Sequence, residues 1–300
     1  MKEAFDTQIK INEDKLNLSL DEKQRHTKET VLSLISEITE VLSEINWATY
    51  KQNKEVIQTN VIEEIVDIFK FTLNLAVIWG YNPESFMEEF RRKSLVVEQR
   101  FIQSKILNRI RNNIITKICA IDLDGVIVDY PKCFVDFVND NTKYSFKNYR
   151  EMKATLSAIE YLDVKNNYRE SGAKKTLPIR KGAKGMIKYL KNKGYTIIIL
   201  SKRPYKKYYR IFADTKHNLD SNNIAFDALL FDSQKHKRIL TEIPQLDFII
   251  EDDRIIANEI SATGYKCFLV DNEFNQGSIG ENVIRVKEFY EIERELNEKN

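Results

Sequence analysis

The sequence predicts two folded parts in tandem, an all-α helical bundle followed by an α/β domain built on a parallel sheet. Its 300 residues exceed what one domain usually holds, so two cores are the natural division. From about Glu29 to Gln99 apolar residues recur at spacings of three and four, as in Ile38, Val41, Leu42, Ile45 and then Ile65, Ile68, Phe69, Leu73. That is the period of helices with one packed face. Beyond Lys117 the pattern changes to short β-rich runs, KICAIDLD, GYTIIILS, DALLF, LDFIIED and YKCFLVD, separated by amphipathic stretches. Such alternation belongs to a parallel sheet with crossover helices.

In the helical half, the segment from Gly80 to Pro83 reads as a helix stop and restart, and Pro83-Glu84 opens a third helix running to about Arg100. The stretch SKILNRIRNN between Ser104 and Thr116 is basic and helix-like, which predicts a short linker. The expected domains are therefore 1–110 and 111–300, with a polar, helical insertion at about 129–177. No internal repeat or low-complexity tract interrupts them.

Composition narrows the function. Apolar residues are 42% and charged residues 31%, as in a globular protein with a well-solvated surface. The net charge of +2 gives no global basic field, so nucleic acid is not an expected partner and any basic site is local. The polar opening MKEAFDTQIK lacks the apolar core of a secretory signal, and no run is long enough to span a bilayer. Cys119, Cys133 and Cys267 lie far apart with no CxxC spacing, which suggests reduced thiols and a cytoplasmic protein without membrane partners. His26, His217 and His236 are too scattered to form a ligand cluster by spacing.

Two pairs of acids stand out in the helical half. Glu37 and Glu40 are three apart on one expected helix, and Glu64 and Asp67 are three apart on the next, so each pair projects from one side. Acidic pairs are ordinarily solvated helix faces. On a helical wheel, however, Glu64 and Asp67 fall among Ile68, Phe71, Leu75 and Ile78, whereas Glu63, Lys70 and Asn74 form a separate polar face. Burying unpaired carboxylates is costly unless a cation neutralises them or they are protonated. Oxygen-only donors without a nearby His or Cys favour a hard ion such as Mg²⁺, and Mg²⁺ in turn suits a phosphate substrate.

ExxE followed by ExxD resembles the all-α nucleoside triphosphate pyrophosphohydrolases, the superfamily of MazG and the dimeric dUTPases. The runs ITEVLSEINW, VIEEIVDIFKFTLNLAVIWG and KSLVVEQR carry the similarity over the first third of the chain. The resemblance implies that Glu37, Glu40, Glu64 and Asp67 hold Mg²⁺ with help from Glu44, and that Lys93 and Arg100 meet the triphosphate. It also implies that Gln8 contacts the base, that the products are a nucleoside monophosphate and pyrophosphate, and that the helical domain forms a homo-oligomer, a dimer or tetramer. Val97 stands where dUTPases commonly carry Asn, so a dCTP-like or modified pyrimidine is as open as dUTP.

In the second half, IDLDGVIVD puts Asp122 and Asp124 at the end of the first β run, with Gly125 permitting a tight turn. Chemistry in open parallel sheets gathers at the carboxyl ends of strands. Ser201 ends the run TIIIL and Asp252 ends DFIIE, so these polar groups are expected on one edge. Lys235 and Lys237 both follow the strand DALLF, and helix register favours Lys235. A Ser followed closely by Pro204 also suits a helix cap.

This order of DxD, Ser, Lys and acidic pair resembles the haloacid dehalogenase (HAD) superfamily from about Lys117 to Val286, which implies a Rossmann-like core and a small helical cap as in 5′-nucleotidases. By that resemblance Asp122 is the nucleophile and Asp124 the general acid and base. Ser201 and Lys235 stabilise the phosphoryl oxygens. Asp122, Asp252 and the Asp124 carbonyl coordinate Mg²⁺, with Asp253 as an auxiliary ligand. Within the insertion Tyr149, Arg150 and Tyr168 are noteworthy. Lys202, Arg203, Lys206, Lys207 and Arg210, interleaved with Tyr205, Tyr208 and Tyr209, could grip a phosphate or stack a base, Arg203 being the substrate-binding candidate.

The expected function is a bifunctional nucleotide hydrolase: dUTP or dCTP is cut to its monophosphate, which the second domain then dephosphorylates. The rival is a phosphatase of nucleic-acid ends or another small phosphomonoester, its helical domain a nucleotide sensor or oligomerisation module.

Overall fold

The computed structural model describes residues 2–48 and 55–298. They form two compact units, 1–94 and 95–300.

The first unit is helical. Helix α1 (Lys2–Ile11) precedes the region where apolar periodicity was legible; α2 (Leu20–Glu44), α3 (Gln58–Ile78) and α4 (Pro83–Arg111) follow. Ser19 and Glu22 start α2 with a reciprocal capping box, which satisfies amide groups that a helix start leaves unpaired. The expected third helix does not stop at Arg100 but continues to Arg111. The basic stretch after Ser104 is thus helix rather than linker, and the unit division falls inside α4. Phe5, Leu73, Ala76 and Val77 make the small core of this unit.

The apolar stripes expected to fill a bundle core are mostly uncovered. No described residue of α2 is buried, and Leu32, Ile35, Ile38, Ile62, Ile65 and Phe69 are all exposed. Helical periodicity guarantees that such residues share a face; it does not guarantee that the same chain covers that face.

The second unit carries a six-stranded parallel sheet ordered β3-β2-β1-β4-β5-β6, with β1 (Ile118–Ile121), β2 (Thr196–Ser201), β3 (Ala228–Phe231), β4 (Phe248–Glu251), β5 (Lys266–Val270) and β6 (Val283–Val286). Between β1 and β2 come α5 (Lys132–Asn141), α6 (Tyr149–Thr155) and α7 (Ala158–Glu170) of the inserted segment, then α8 (Ala183–Asn192). The later crossovers use α9 (Arg210–Ser221), α10 (Lys235–Glu242) and α11 (Arg254–Ser261), and α12 (Phe289–Asn297) ends the described chain. Strand residues alternate between two cores: Cys119, Ile121, Ile197 and Ile199 pack on one face, and Ile118, Ala120, Ile198 and Leu200 on the other. Burial on both faces explains why these strands read as continuous apolar runs, each fully buried Ile contributing roughly 1.5–3 kcal/mol.

Candidate functional sites

The strand order reverses at β1, which pairs with β2 on one side and β4 on the other. Ligands of open α/β sheets bind outside such a switch point, and there the chain places its acids. The Asp122 amide donates to the Ile250 carbonyl at 2.8 Å, extending the β1–β4 ladder and bringing Asp122 beside Glu251 and Asp252. One oxygen from each of these three carboxylates lies within 4.8 Å of the others. From the first turn of α10, Lys235 reaches Asp122 Oδ1 at 2.6 Å and Glu251 Oε2 at 2.7 Å. Lys235 is buried and Lys237 is exposed, so burial and contact separate the two lysines that spacing left open.

Burial, followed by the Asp122 charge, pushes the Glu251 carboxyl up to about 8. Burial, then the Asp122 and Glu251 charges, also raises Asp252. Burial works against the Lys235 ammonium, but Asp122 and Glu251 outweigh it and hold its pKa above the ordinary value. A single ammonium thus faces three crowded carboxylates, a donor set of hard oxygens that a divalent cation would fit. Without such a cation, the folded state binds protons more tightly than the unfolded chain, whose Glu251 titrates near 4.5. Stability from this group is therefore full below pH 4.5 and lost as pH rises. Lys174, pushed down to about 7 mainly by burial, gives the opposite slope at higher pH. Urea unfolding in chelator is accordingly expected to show stability falling from pH 4.5 to 7, with Mg²⁺ flattening the slope.

Gly125 makes the close packing of the two strand ends possible. Its φ is +87°, and a Cβ there would lie 1.9 Å from Asp252 Oδ2. Gly125→Ala is expected to cost at least ~1–3 kcal/mol in urea unfolding through backbone strain. By displacing Asp252 it should also reduce any orthophosphate release about 10²-fold. Wild-type turnover would refute that role.

Asp124 faces the other way. Arg203 clamps it through Nε at 2.8 Å and Nη2 at 2.6 Å, and Nη1 of the same guanidinium donates to Thr215 Oγ1 at 2.7 Å. Burial would raise the Asp124 carboxyl, but Arg203 and then Lys174 outweigh it and hold it well below the usual range. Arg203, the substrate-binding candidate, is thus engaged by a carboxylate of its own chain. Ser201 is buried at the end of β2 and its Oγ accepts the Arg203 amide at 3.3 Å. It caps no helix, since α9 starts only at Arg210. Asp253, the expected auxiliary ligand, instead caps α11 by accepting the amides of Ile255 and Ile256 at 2.8 and 3.3 Å.

Two recesses open on this edge. The larger, about 440 Å³, is lined by Asp122, Asp252, Tyr130, Tyr149 and Phe274 among others. The smaller, about 160 Å³, is lined by Lys165, Arg169, Lys174, Ser201, Lys202 and Arg203 besides the two DxD acids. Of the insertion residues singled out, Tyr149 lines the larger recess, Arg150 is exposed, and Tyr168 is wholly buried against Phe134 and Phe137. Of the tyrosines in the basic stretch Tyr209 is exposed, whereas the other two pack inward. Tyr205 packs on Phe231 and Phe212, and buried Tyr208 donates to Asn166 Oδ1 at 2.5 Å.

In the helical unit, Glu37, Glu40 and Glu64 come together with one oxygen each within 4.8 Å of the others. Partial desolvation, then Glu40 and Asp67, raises Glu37; desolvation, then Glu40 and Glu37, raises Glu64. Asp67 turns to Lys70 at 2.7 Å, because i and i+3 share a helix side; the wheel had put Lys70 on a separate face. Asn74 is also drawn inward, accepting from Asn12 Nδ2 at 2.8 Å. Glu44 accepts from Asn60 Nδ2 at 3.2 Å. Gln8 is buried on α1, Lys93 is exposed on α4, and Arg100 belongs to the second unit, where it is exposed beside Gln103 and Arg238.

Sequence reasoning missed Glu251 and the cations Lys165, Arg169 and Lys174. The run EDD after an apolar strand was a signal for Glu251. The three cations come from a polar insertion with no marker at all.

Fold and site together define a hydrolase-like chain with two carboxylate centres, one on helices and one at the switch point of a Rossmann-like sheet. The model of the dUTPase family matches residues 1–173, more than half of the sequence, and the chain belongs to that family. The match extends past the helical third in which the resemblance was legible, through β1 and the inserted helices. No curated protein matches significantly. Similar solved structures include a predicted phosphatase from Clostridium acetobutylicum, at 14% identity and TM-score 0.44, covering 61% of this chain and 99% of that one. CbbY from Rhodobacter sphaeroides in complex with phosphate gives 14% and 0.42, covering 59% and 96%. A haloacid dehalogenase-like family hydrolase from Streptococcus pneumoniae gives 13% and 0.40, covering 60% and 98%. At such values these likenesses say nothing of substrate or mechanism. Among the described residues no helix is long and apolar enough to cross a membrane.

Proposed function

We propose that the chain is a bifunctional, magnesium-dependent nucleotide hydrolase. The helical unit would cut a pyrimidine nucleoside triphosphate such as dUTP or dCTP to monophosphate and pyrophosphate, and the α/β unit would dephosphorylate a nucleoside monophosphate as HAD phosphatases do. The observation that carries the reading is the convergence of Asp122, Asp252, Ser201 and Lys235 at the strand switch point of a chain whose family is that of dUTPases.

Glu37, Glu40, Glu64 and Asp67 would hold Mg²⁺ in the first unit, and Asp122, Asp252 and the Asp124 carbonyl in the second. Asp253, committed to its helix cap, is left out of that set. Bound there, the cation would supply positive charge to phosphate oxygens. In the second unit an Asp122 oxygen attacks phosphorus, the bond to the leaving oxygen breaks, and that oxygen takes a proton from Asp124. Water then opens the aspartyl-phosphate, its proton passes to Asp124, and orthophosphate departs. The Arg203 clamp keeps Asp124 ionised and weakly basic, so both taking and giving a proton require the guanidinium to turn from Asp124 toward the substrate. Burial pushes the Asp122 carboxyl up, and Lys235 opposes that rise while aiming the Asp122 oxygen through its 2.6 Å hydrogen bond. In the first unit Lys93 and Arg100 are assigned to the triphosphate and Gln8 to the base, by resemblance.

A homo-oligomer, a dimer or tetramer through the helical unit, is part of the proposal, supported by the exposed apolar residues of α2 and α3. A cytoplasmic setting is supported by three free, buried cysteines. With Tyr205 and Tyr208 packed inward the basic stretch keeps Tyr209 as its exposed tyrosine, which weakens the reading of a nucleic-acid end as substrate.

The test is a screen of the common nucleoside triphosphates and monophosphates with Mg²⁺ that resolves pyrophosphate from orthophosphate. The double substitution Glu64→Gln with Asp67→Asn is expected to lower pyrophosphate release at least ~10²-fold while phosphatase turnover persists. Unchanged pyrophosphate release would sink the assignment. Triphosphate binding by the wild type without any release would make the unit a sensor.

A further inference from the structure

The smaller recess of the α/β unit holds more positive charge than its own acids balance. Arg203 is matched by Asp124 through two hydrogen bonds, yet Lys165, Arg169 and Lys174 line the same recess. Among the described residues, no carboxylate forms an ion pair with any of the three. Lys174 is only 5% exposed, and its ammonium lies over the Tyr168 ring at 4.4 Å with no hydrogen-bond acceptor among the described residues. Lys165 lies over the Phe134 ring at 4.4 Å and donates to the Tyr130 hydroxyl. Arg169 donates to the Tyr208 hydroxyl at 3.4 Å and lies over the Tyr208 ring at 5.2 Å. Ammonium groups withdrawn from water without counter-charge are costly, and such a surplus is offset when an anion binds.

The anion in question differs from the reacting phosphoryl group. Lys165, Arg169 and Lys174 come from the inserted segment and lie against the rings of Phe134, Tyr208 and Tyr168, whereas Asp122, on which the reacting phosphorus would fall, is held at 2.6 Å by Lys235 of the sheet edge. At about 160 Å³ the recess is below the roughly 300 Å³ of ordinary ligand pockets, so it suits a compact anion. The neighbouring recess of about 440 Å³, with Tyr149 and Phe274 in its wall, has room for the organic part of a substrate.

We infer that Lys165, Arg169 and Lys174 form a second anion subsite, and that the α/β unit prefers phosphomonoesters whose leaving group carries another phosphate. This rests on the phosphatase reading and narrows its substrate class to bisphosphates, of which a nucleoside or a simple pentose could be the carrier.

The full chain with Mg²⁺ is assayed on a nucleoside 5′-monophosphate, the corresponding 3′,5′-bisphosphate and a pentose 1,5-bisphosphate. At least one bisphosphate is expected to exceed the monophosphate in kcat/KM by about tenfold or more, an advantage that salt erodes. Whichever bisphosphate shows it identifies the carrier. Lys174→Met and, separately, Lys165→Met should bring that ratio close to one. Equal kcat/KM values in the wild type, or a ratio unmoved by both substitutions, would overturn the subsite. If no ester releases orthophosphate, the phosphatase reading fails instead. The subsite is then judged by calorimetric binding of the two bisphosphates to Asp122→Asn protein. Lys174→Met should weaken the better binder about tenfold; unchanged affinity overturns the inference.

Discussion

Replacing Asp122 by Asn is expected to reduce orthophosphate release from nucleoside monophosphates at least ~10⁴-fold, the scale on which loss of a nucleophile is felt. Pyrophosphate release from triphosphates should stay within about twofold, since substitutions without shared partners act independently. The physical ground is local. Asn keeps the shape of Asp and so can remain in its place beside Glu251, and Lys235 retains Glu251 as a partner at 2.7 Å, so the fold should survive. What is lost is an anionic oxygen able to attack phosphorus. Parallel assays of both products on the full chain decide the matter. Simultaneous loss of both activities would mean that the two centres are not independent.

The second large effect concerns Lys235. Its ammonium is buried and is the cation that offsets both Asp122 and Glu251. Lys235→Met fills the same space but leaves two carboxylates buried without it, and breaking a buried ion pair from one side typically costs about 3–5 kcal/mol. Urea unfolding is expected to show a loss of that size at neutral pH, partly recovered at acid pH, where Glu251 can take a proton. Phosphatase turnover should be abolished as well. Lys237→Met, two residues along the same helix but exposed, should stay within about 0.5 kcal/mol of wild type. If the two variants behaved alike, the buried network could not be what orders the strand ends.

Much of this was legible beforehand because periodicity is a property of the sequence itself. Runs such as TIIIL and DFIIE had to be strands covered on both faces, and each ended in a polar residue, which put Ser201 and Asp252 on the same sheet edge as Asp122. Glu251 was harder to see because the last strand residue points to a side that only the partner strand defines. Asp253 shows the converse: an acid beside a ligand candidate was spent on the amides of Ile255 and Ile256. Arg203 could not be paired with Asp124 in advance, as 79 residues separate them. The helical half was legible in its elements and less so in its packing. Spacing put Glu37, Glu40 and Glu64 on facing sides, but α1 and the first turns of α2 were missed and the apolar stripes of α2 and α3 proved largely uncovered.

The amino-acid order by itself determined the two-part division, the helix and strand periods and the four carboxylate motifs, because these follow from side-chain spacing along a regular backbone. Tertiary structure alone decided the charge state of the centre. Whether a carboxylate is held ionised by Arg203 or driven toward protonation by Asp122 depends on distance and burial, and both come from segments that meet only once the sheet has closed.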